Sequence, residues 1–191
     1  GERLQVRGPL LIAKRNLKPG AVIKCFVQDT NPPKEKRFII LAFSYDRVAL
    51  GTVYINTQIN PNLFKTPELR NLHLPFEVTG RDYLDHDSFI DCSTIYEKPA
   101  EEILNVLERS PKAIIGEVGE LDFKAIRNKV KSAKTISKAV KKKFGVFLQR
   151  VELFSRYSLF QIKTQILKIY HRALQRNIPM LLPRQIIHFV L

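Results

Sequence analysis

Three stretches of this chain gather side chains able to do chemistry. Lys34-Glu35-Lys36-Arg37 is a basic run ending in an arginine, which keeps its charge and can donate two hydrogen bonds to phosphate oxygens. Asn56-Thr57-Gln58 sets a hydroxyl that can donate or accept between two side-chain amides. Asp82, Asp85, His86 and Asp87 crowd a third stretch. Each has a plain structural reading as well: a solvated loop charge, a strand-end hydroxyl capping a turn, a solvated acidic turn. The acidic stretch fits no calcium or zinc template. His73, His86, His171 and His188 are too scattered to build a histidine pair or a metal site. Chemistry here is expected to need neither metal nor cofactor.

The elements around these stretches read as short strands followed by helices. Val22 to Val27 is an extended apolar segment opened by Pro19-Gly20. Residues 29–36 read as a polar loop, because Pro32 and Pro33 do not suit a central strand. Phe38 to Phe43 is a continuous apolar run, predicted to be a buried strand. Ser44 to Arg47 turns the chain, and Val48 to Asn56 returns as another strand. A second loop holds Pro61 and Pro67, and Leu74–Val78 and Ser88–Cys92 read as two further strands. Pro99–Glu108 is a helix with proline at its first turn. Lys112–Glu117 reads as a strand, and Leu121–Ala133 as an amphipathic helix with Phe123, Ile126 and Val130 on one side. Lys141-Lys142-Lys143 is most simply a solvated basic end. The fold class expected is α+β, mainly β: a small barrel with helices and a helical C-terminal extension.

A chain of 191 residues with 45% hydrophobic and 26% charged residues is neither disordered nor membranous by composition. Its formal charge of +14 favours a polyanionic partner. That charge concentrates at the ends: residues 148–191 hold seven Lys/Arg against one acid, and residues 1–16 hold four against one. The division expected is therefore a flank over 1–16, a motif-bearing domain over 17–147 and a basic extension over 148–191. The extension carries helical apolar stripes, one through Leu153, Tyr157 and Phe160. It fits a membrane surface, RNA, a partner groove, packing on the domain or on a second subunit, or incidental sequence. Cys25 and Cys92 read better as reduced, half-buried strand residues than as a disulfide. No apolar run is long enough for a signal peptide or a membrane span, and a cytoplasmic location is expected.

Several of these pieces resemble, in order and spacing, the MazF/PemK family of toxin endoribonucleases. Lys18-Pro19-Gly20-Ala21-Val22 is similar to the family's opening, with Ala21 in place of its acid. Lys36-Arg37-Phe38 followed by Ile39-Ile40-Leu41 matches the basic loop and strand, with Phe38 in place of proline. Val53 to Ile59 resembles the strand that ends in a threonine, here Thr57. Leu74-Pro75-Phe76-Glu77-Val78 and Asp87-Ser88-Phe89-Ile90 match closely. Ser93, Thr94 and Tyr96 then stand where the family has an acid, a glutamine and a basic residue. Gly116 to Val130 looks like the final strand and helix. The likeness covers about residues 17–145.

The resemblance implies an SH3-like barrel, a homodimer, a cognate antitoxin that occludes the RNA groove, and single-stranded RNA as substrate. RNA supplies its own nucleophile, the ribose 2′-hydroxyl, so the protein need only handle protons and phosphorane charge. By the resemblance Arg37 and Thr57 are the catalytic pair, leaving a 2′,3′-cyclic phosphate and a 5′-hydroxyl. Lys34 and Lys36 would hold the RNA backbone, and Asn56 and Gln58 would read a base edge, Asn56 serving equally well as a turn former. Asp91 is not assigned to catalysis. The departures at Phe38 and at Ser93, Thr94 and Tyr96 support an alternative, a catalytically silent RNA- or protein-binding module on the same fold.

Overall fold

The chain divides into two units, Gly1–Arg150 and Val151–Leu191. The computed structural model describes residues 16–28 and 30–146, all in the first unit. The extension expected over 148–191 lies outside the described residues.

β1 (Ala21–Val27) starts at Gly20, whose φ of 92° is left-handed and open to glycine without strain. β2 (Lys34–Phe43) and β3 (Ala49–Asn56) form an antiparallel hairpin. Its turn is locked by Ser44, whose Oγ donates to Asp46 Oδ1 at 2.6 Å and accepts from the Ala49 N–H at 3.0 Å. A short helix α1 (Pro67–Arg70), capped by the Thr66 side chain, lies in the second loop. β4 (His73–Phe76), β5 (Ser88–Asp91) and β6 (Tyr96–Pro99) follow, then α2 (Ala100–Arg109) and a single 3₁₀ turn. β7 (Ile114–Glu117), α3 (Glu120–Ser132) and α4 (Lys138–Lys143) complete the described chain.

The sheet is antiparallel, in the order β4-β5-β3-β2-β1-β7, with β6 also on β3. β5 pairs with Ile55 and Asn56 of β3, while β6 pairs with Ala49 to Thr52. Two strands thus share one edge of β3 at different heights. Register shifts at Val22/Ile23 and between Ile40 and Ala42 add local twist. The outcome is a curled, mainly antiparallel half-barrel with a few helices.

Alternation along the strands sorts side chains onto two faces. One face carries Ile23, Cys25, Phe38, Ile40, Leu50 and Tyr54, which pack in a core with Ile103 and Leu107 of α2. The opposite face carries Val22, Ile39, Val53 and Ile55, also buried. Apolar residues on both faces explain the unbroken run from Phe38 to Phe43.

Four expectations change. The polar loop is shorter than residues 29–36, because β2 already begins at Lys34, pairing with Val27. β6 was not anticipated: Tyr96-Glu97-Lys98-Pro99 has little apolar signal, and its place is fixed by hydrogen-bonding to β3. The cysteines are buried rather than half-buried, neither of them in a disulfide, and burial pushes the Cys92 thiol up to about 12. Lys141 is not solvated: it is buried, and its ammonium donates to Lys131 O at 2.8 Å and Ala133 O at 2.6 Å, the end carbonyls of α3.

Gly51, in the middle of β3, lets Phe144 pack directly on the strand: a Cβ there would sit 2.7 Å from Phe144 Cγ. Gly51→Ala is expected to cost about 1–3 kcal/mol through overpacking, read as a lower thermal midpoint. Phe144→Leu in the same chain should recover part of that loss; an additive double variant would show that the two residues do not press on each other.

Candidate functional site

Register brings the sequence-marked residues together. Arg37 of β2 lies opposite Ile55 of β3 and, on its other side, opposite Lys24 of β1. Thr57 stands two residues beyond Ile55, exposed in the bend after β3, so it falls on the face of Arg37. On the other edge of β3, Asn56 pairs with Phe89 of β5. That pairing brings the loop that precedes β5 up to Thr57.

That loop supplies the partners. Asp85 accepts a hydrogen bond from Arg37 Nη2 in an ion pair, and His86 Nε2 lies 3.1 Å from Thr57 Oγ1. Arg37, Asp85, His86 and Thr57 therefore form one continuous constellation. The Arg37 hydrogen bond, with the charges of Arg37, Lys24 and His86 behind it, holds the Asp85 carboxyl below the usual aspartate range.

The two arginines that meet this loop differ in a way that matters. Arg81 engages Asp122 of α3 with both prongs of its guanidinium, Nε to Oδ2 at 2.8 Å and Nη2 to Oδ1 at 3.0 Å. Its fork is full, and Asp122 raises its affinity for the proton further. Arg37 uses Nη2 alone; its Nε is buried with no hydrogen-bond partner among the described residues. An unmet buried donor costs about 1–3 kcal/mol. A phosphate that displaced Asp85 could fill both prongs at once.

The loop is held firmly enough to present these groups. Asp87 Oδ1 accepts from the Val78 N–H at 2.8 Å, closing the loop at its neck. Arg81 Nη1 donates to Glu77 O at 2.8 Å, and its guanidinium lies 4.6 Å from the Phe76 ring centre. Tyr83 and Leu84 are buried, and the Tyr83 ring packs where Gly116 has no side chain. Burial raises the Tyr83 phenol above its ordinary value. Asp82, Asp85, His86 and Asp87 do not converge as ligands, and among the described residues no group of three His, Cys, Asp or Glu does.

The other marked residues are placed differently. Lys36 and Asn56 lie on the opposite face from Arg37, with the Lys36 ammonium donating to Asn56 Oδ1 and resting 5.1 Å from the Tyr54 ring centre. Lys34 shares that alternation and is exposed; Gln58 is exposed in the bend beside Thr57. Asp91 is buried, accepting from Ser93 N at 2.9 Å, Ser93 Oγ at 2.5 Å and the Tyr96 hydroxyl at 3.2 Å. Its other neighbour is His73 Nε2, at 3.5 Å. Ser93 and Tyr96 thus serve a buried carboxylate in the fold.

Sequence reasoning missed His86 and Asp85 as members of the site. The signal lay in the acidic stretch itself, which sits just before β5, the strand that pairs with the end of β3.

Because the Asp85 carboxyl is depressed in the folded chain, its pairing with Arg37 contributes above the unfolded aspartate value of about 4 and is lost as pH falls through the lower folded value. Carboxyl carbon NMR should give Asp85 a midpoint below the ordinary range, and Arg37→Ala should move it up. Arg81→Ala should leave the fold in place yet broaden the His86 and Asp85 signals, because it unpins the loop; unchanged line shapes would show that the loop holds itself.

No family model matches the chain, and no curated protein matches it.

Proposed function

We propose that this chain is a metal-independent endoribonuclease that cuts single-stranded RNA, acting as the toxin of a toxin–antitoxin pair. The reading includes an SH3-like barrel, a homodimer and a cytoplasmic setting in which a cognate antitoxin covers the site. One observation carries it above the rest. Arg37 and Thr57, marked from separate motifs, share one sheet face and are linked through adjacent residues of one loop, Asp85 and His86.

The division of labour follows from the groups present. RNA phosphate displaces the exposed Asp85 carboxylate and takes the Nε and Nη2 prongs of Arg37, which bear the charge that grows on the non-bridging oxygens. His86, oriented by the Thr57 hydroxyl, accepts the proton of the ribose 2′-hydroxyl as its oxygen bonds to phosphorus. The bond from phosphorus to the 5′-oxygen breaks, and solvent protonates that oxygen. The products are a 2′,3′-cyclic phosphate and a 5′-hydroxyl. Lys34 and Gln58 are exposed and available to passing RNA, and Lys36 and Asn56 line the far side of the same strands.

A second reading has its own observation. Asp85 occupies Arg37 in the free chain, as suits a silent RNA- or protein-binding module whose old phosphate site is closed.

The full chain should cut a mixed single-stranded RNA pool in EDTA, and Arg37→Ala should reduce cutting by about 100-fold or more, equivalent to losing one stabilising donor worth about 3 kcal/mol. His86→Gln should slow cutting while leaving RNA affinity near that of the parent. Intact RNA after incubation with the parent chain would sink the enzyme reading. Asp85→Asn separates the two readings: it should tighten RNA binding, and cleavage products should appear with it only if the residues behind Asp85 are catalytic.

A further inference from the structure

Phe26 is the residue of β1 that the core does not use. It is 58% exposed, whereas its strand neighbours Cys25 and Val27 are buried on the other face. Its register partner is Glu35, and the next pair along that face is Lys24 with Arg37. Lys24 and Glu35 are themselves joined, Nζ to Oε2 at 3.1 Å. An aromatic ring, a carboxylate and two cations therefore occupy adjacent register positions on the face that holds Thr57 and His86.

We infer that Phe26 and Glu35 form a subsite for one unpaired nucleobase, next to the phosphate held at Arg37. The spacing fits. Pairs two residues apart along a strand are separated by about 7 Å, the reach of a nucleotide from its base to its phosphate. A base laid on the Phe26 ring covers apolar surface that water now touches, and stacking on aromatics tolerates any base. Glu35, whose side chain is 60% exposed, adds a preference, because a carboxylate accepts from exocyclic amino groups and has no use for a carbonyl edge. The occupant is thus a single-stranded nucleotide whose base bears an amino group, such as cytosine or adenine. A duplex is excluded, since its bases are already stacked and paired. This subsite rests on the ribonuclease reading for its purpose but makes a binding claim of its own.

The test uses the full chain and a labelled single-stranded 2′-O-methyl oligonucleotide, which lacks the attacking hydroxyl, so that binding is read by anisotropy without cleavage. Phe26→Ala should weaken binding about tenfold or more, with little change in thermal midpoint because the residue is more than half exposed. Phe26→Trp should restore binding. As the chain has no tryptophan, the new indole emission should be quenched on adding cytosine- or adenine-rich strands and less so by uracil-rich ones. Glu35→Gln should narrow that difference. The inference is overturned if the parent chain binds no oligonucleotide, if Phe26→Ala binds as the parent does, or if Phe26→Ala instead changes the sedimenting mass, which would make Phe26 a contact between copies. Cleavage of unmodified RNA is scored separately. Loss of binding in Phe26→Ala with no cleavage by the parent leaves the subsite standing and removes the reaction. Cleavage with an indifferent Phe26 does the reverse.

Discussion

Pairing Arg37 with Ile55 across β2 and β3 sends Lys24, Glu35, Arg37 and Ile55 to one face of the sheet and Cys25, Lys36, Phe38 and Tyr54 to the other. A slip of one residue would exchange the two sets, burying Arg37 in the core packed by α2 and exposing Phe38. The burial of Phe38, Ile39 and Ile40 on both faces fixes that register, and the site inherits it. The same hairpin then places the end of β3 beside β5, so that a loop nearly thirty residues away in sequence arrives over Thr57.

What distinguishes the candidate site from its structural surroundings is the exposure of the group that answers its central cation. Asp91 has two serine contacts and a tyrosine hydroxyl, Lys141 has two helix-end carbonyls, and Arg127 donates to Gly145 O and Val146 O. Burial lowers the Arg127 guanidinium to about 10, which still leaves it charged at neutral pH. These groups hold the fold. Arg37 is answered on one prong by a carboxylate that faces solvent, an arrangement that a better-shaped anion can replace.

Much of this was legible in the sequence, and the limits have physical causes. β1, β2 and β3 announced themselves because each buries apolar side chains, and α3 did so through the spacing of Phe123, Ile126 and Val130. β6 carries Glu97 and Lys98 in four residues, and only its pairing with Ala49 to Thr52 makes it a strand. Lys141 looked like its neighbours Lys142 and Lys143 because a run of one residue type hides which member turns inward. The order of motifs pointed to Arg37 and Thr57, but spacing along the chain says nothing of which sheet face a residue takes. Lys36 and Asn56 were grouped with them for that reason. His86 was read as part of a solvated acidic turn because its partner is distant in sequence and its neighbours are acids.

The packing of Phe144 against Gly51 has a consequence for how this chain can be handled as a piece. The middle strand of the sheet is completed by a ring from beyond α4, and Arg127 grips the two carbonyls that follow it. Any dissection that removed residues 144–146 would open a slot down the centre of the half-barrel and strand a buried guanidinium. Any piece cut for fusion or trimming therefore has to keep residues 144–146.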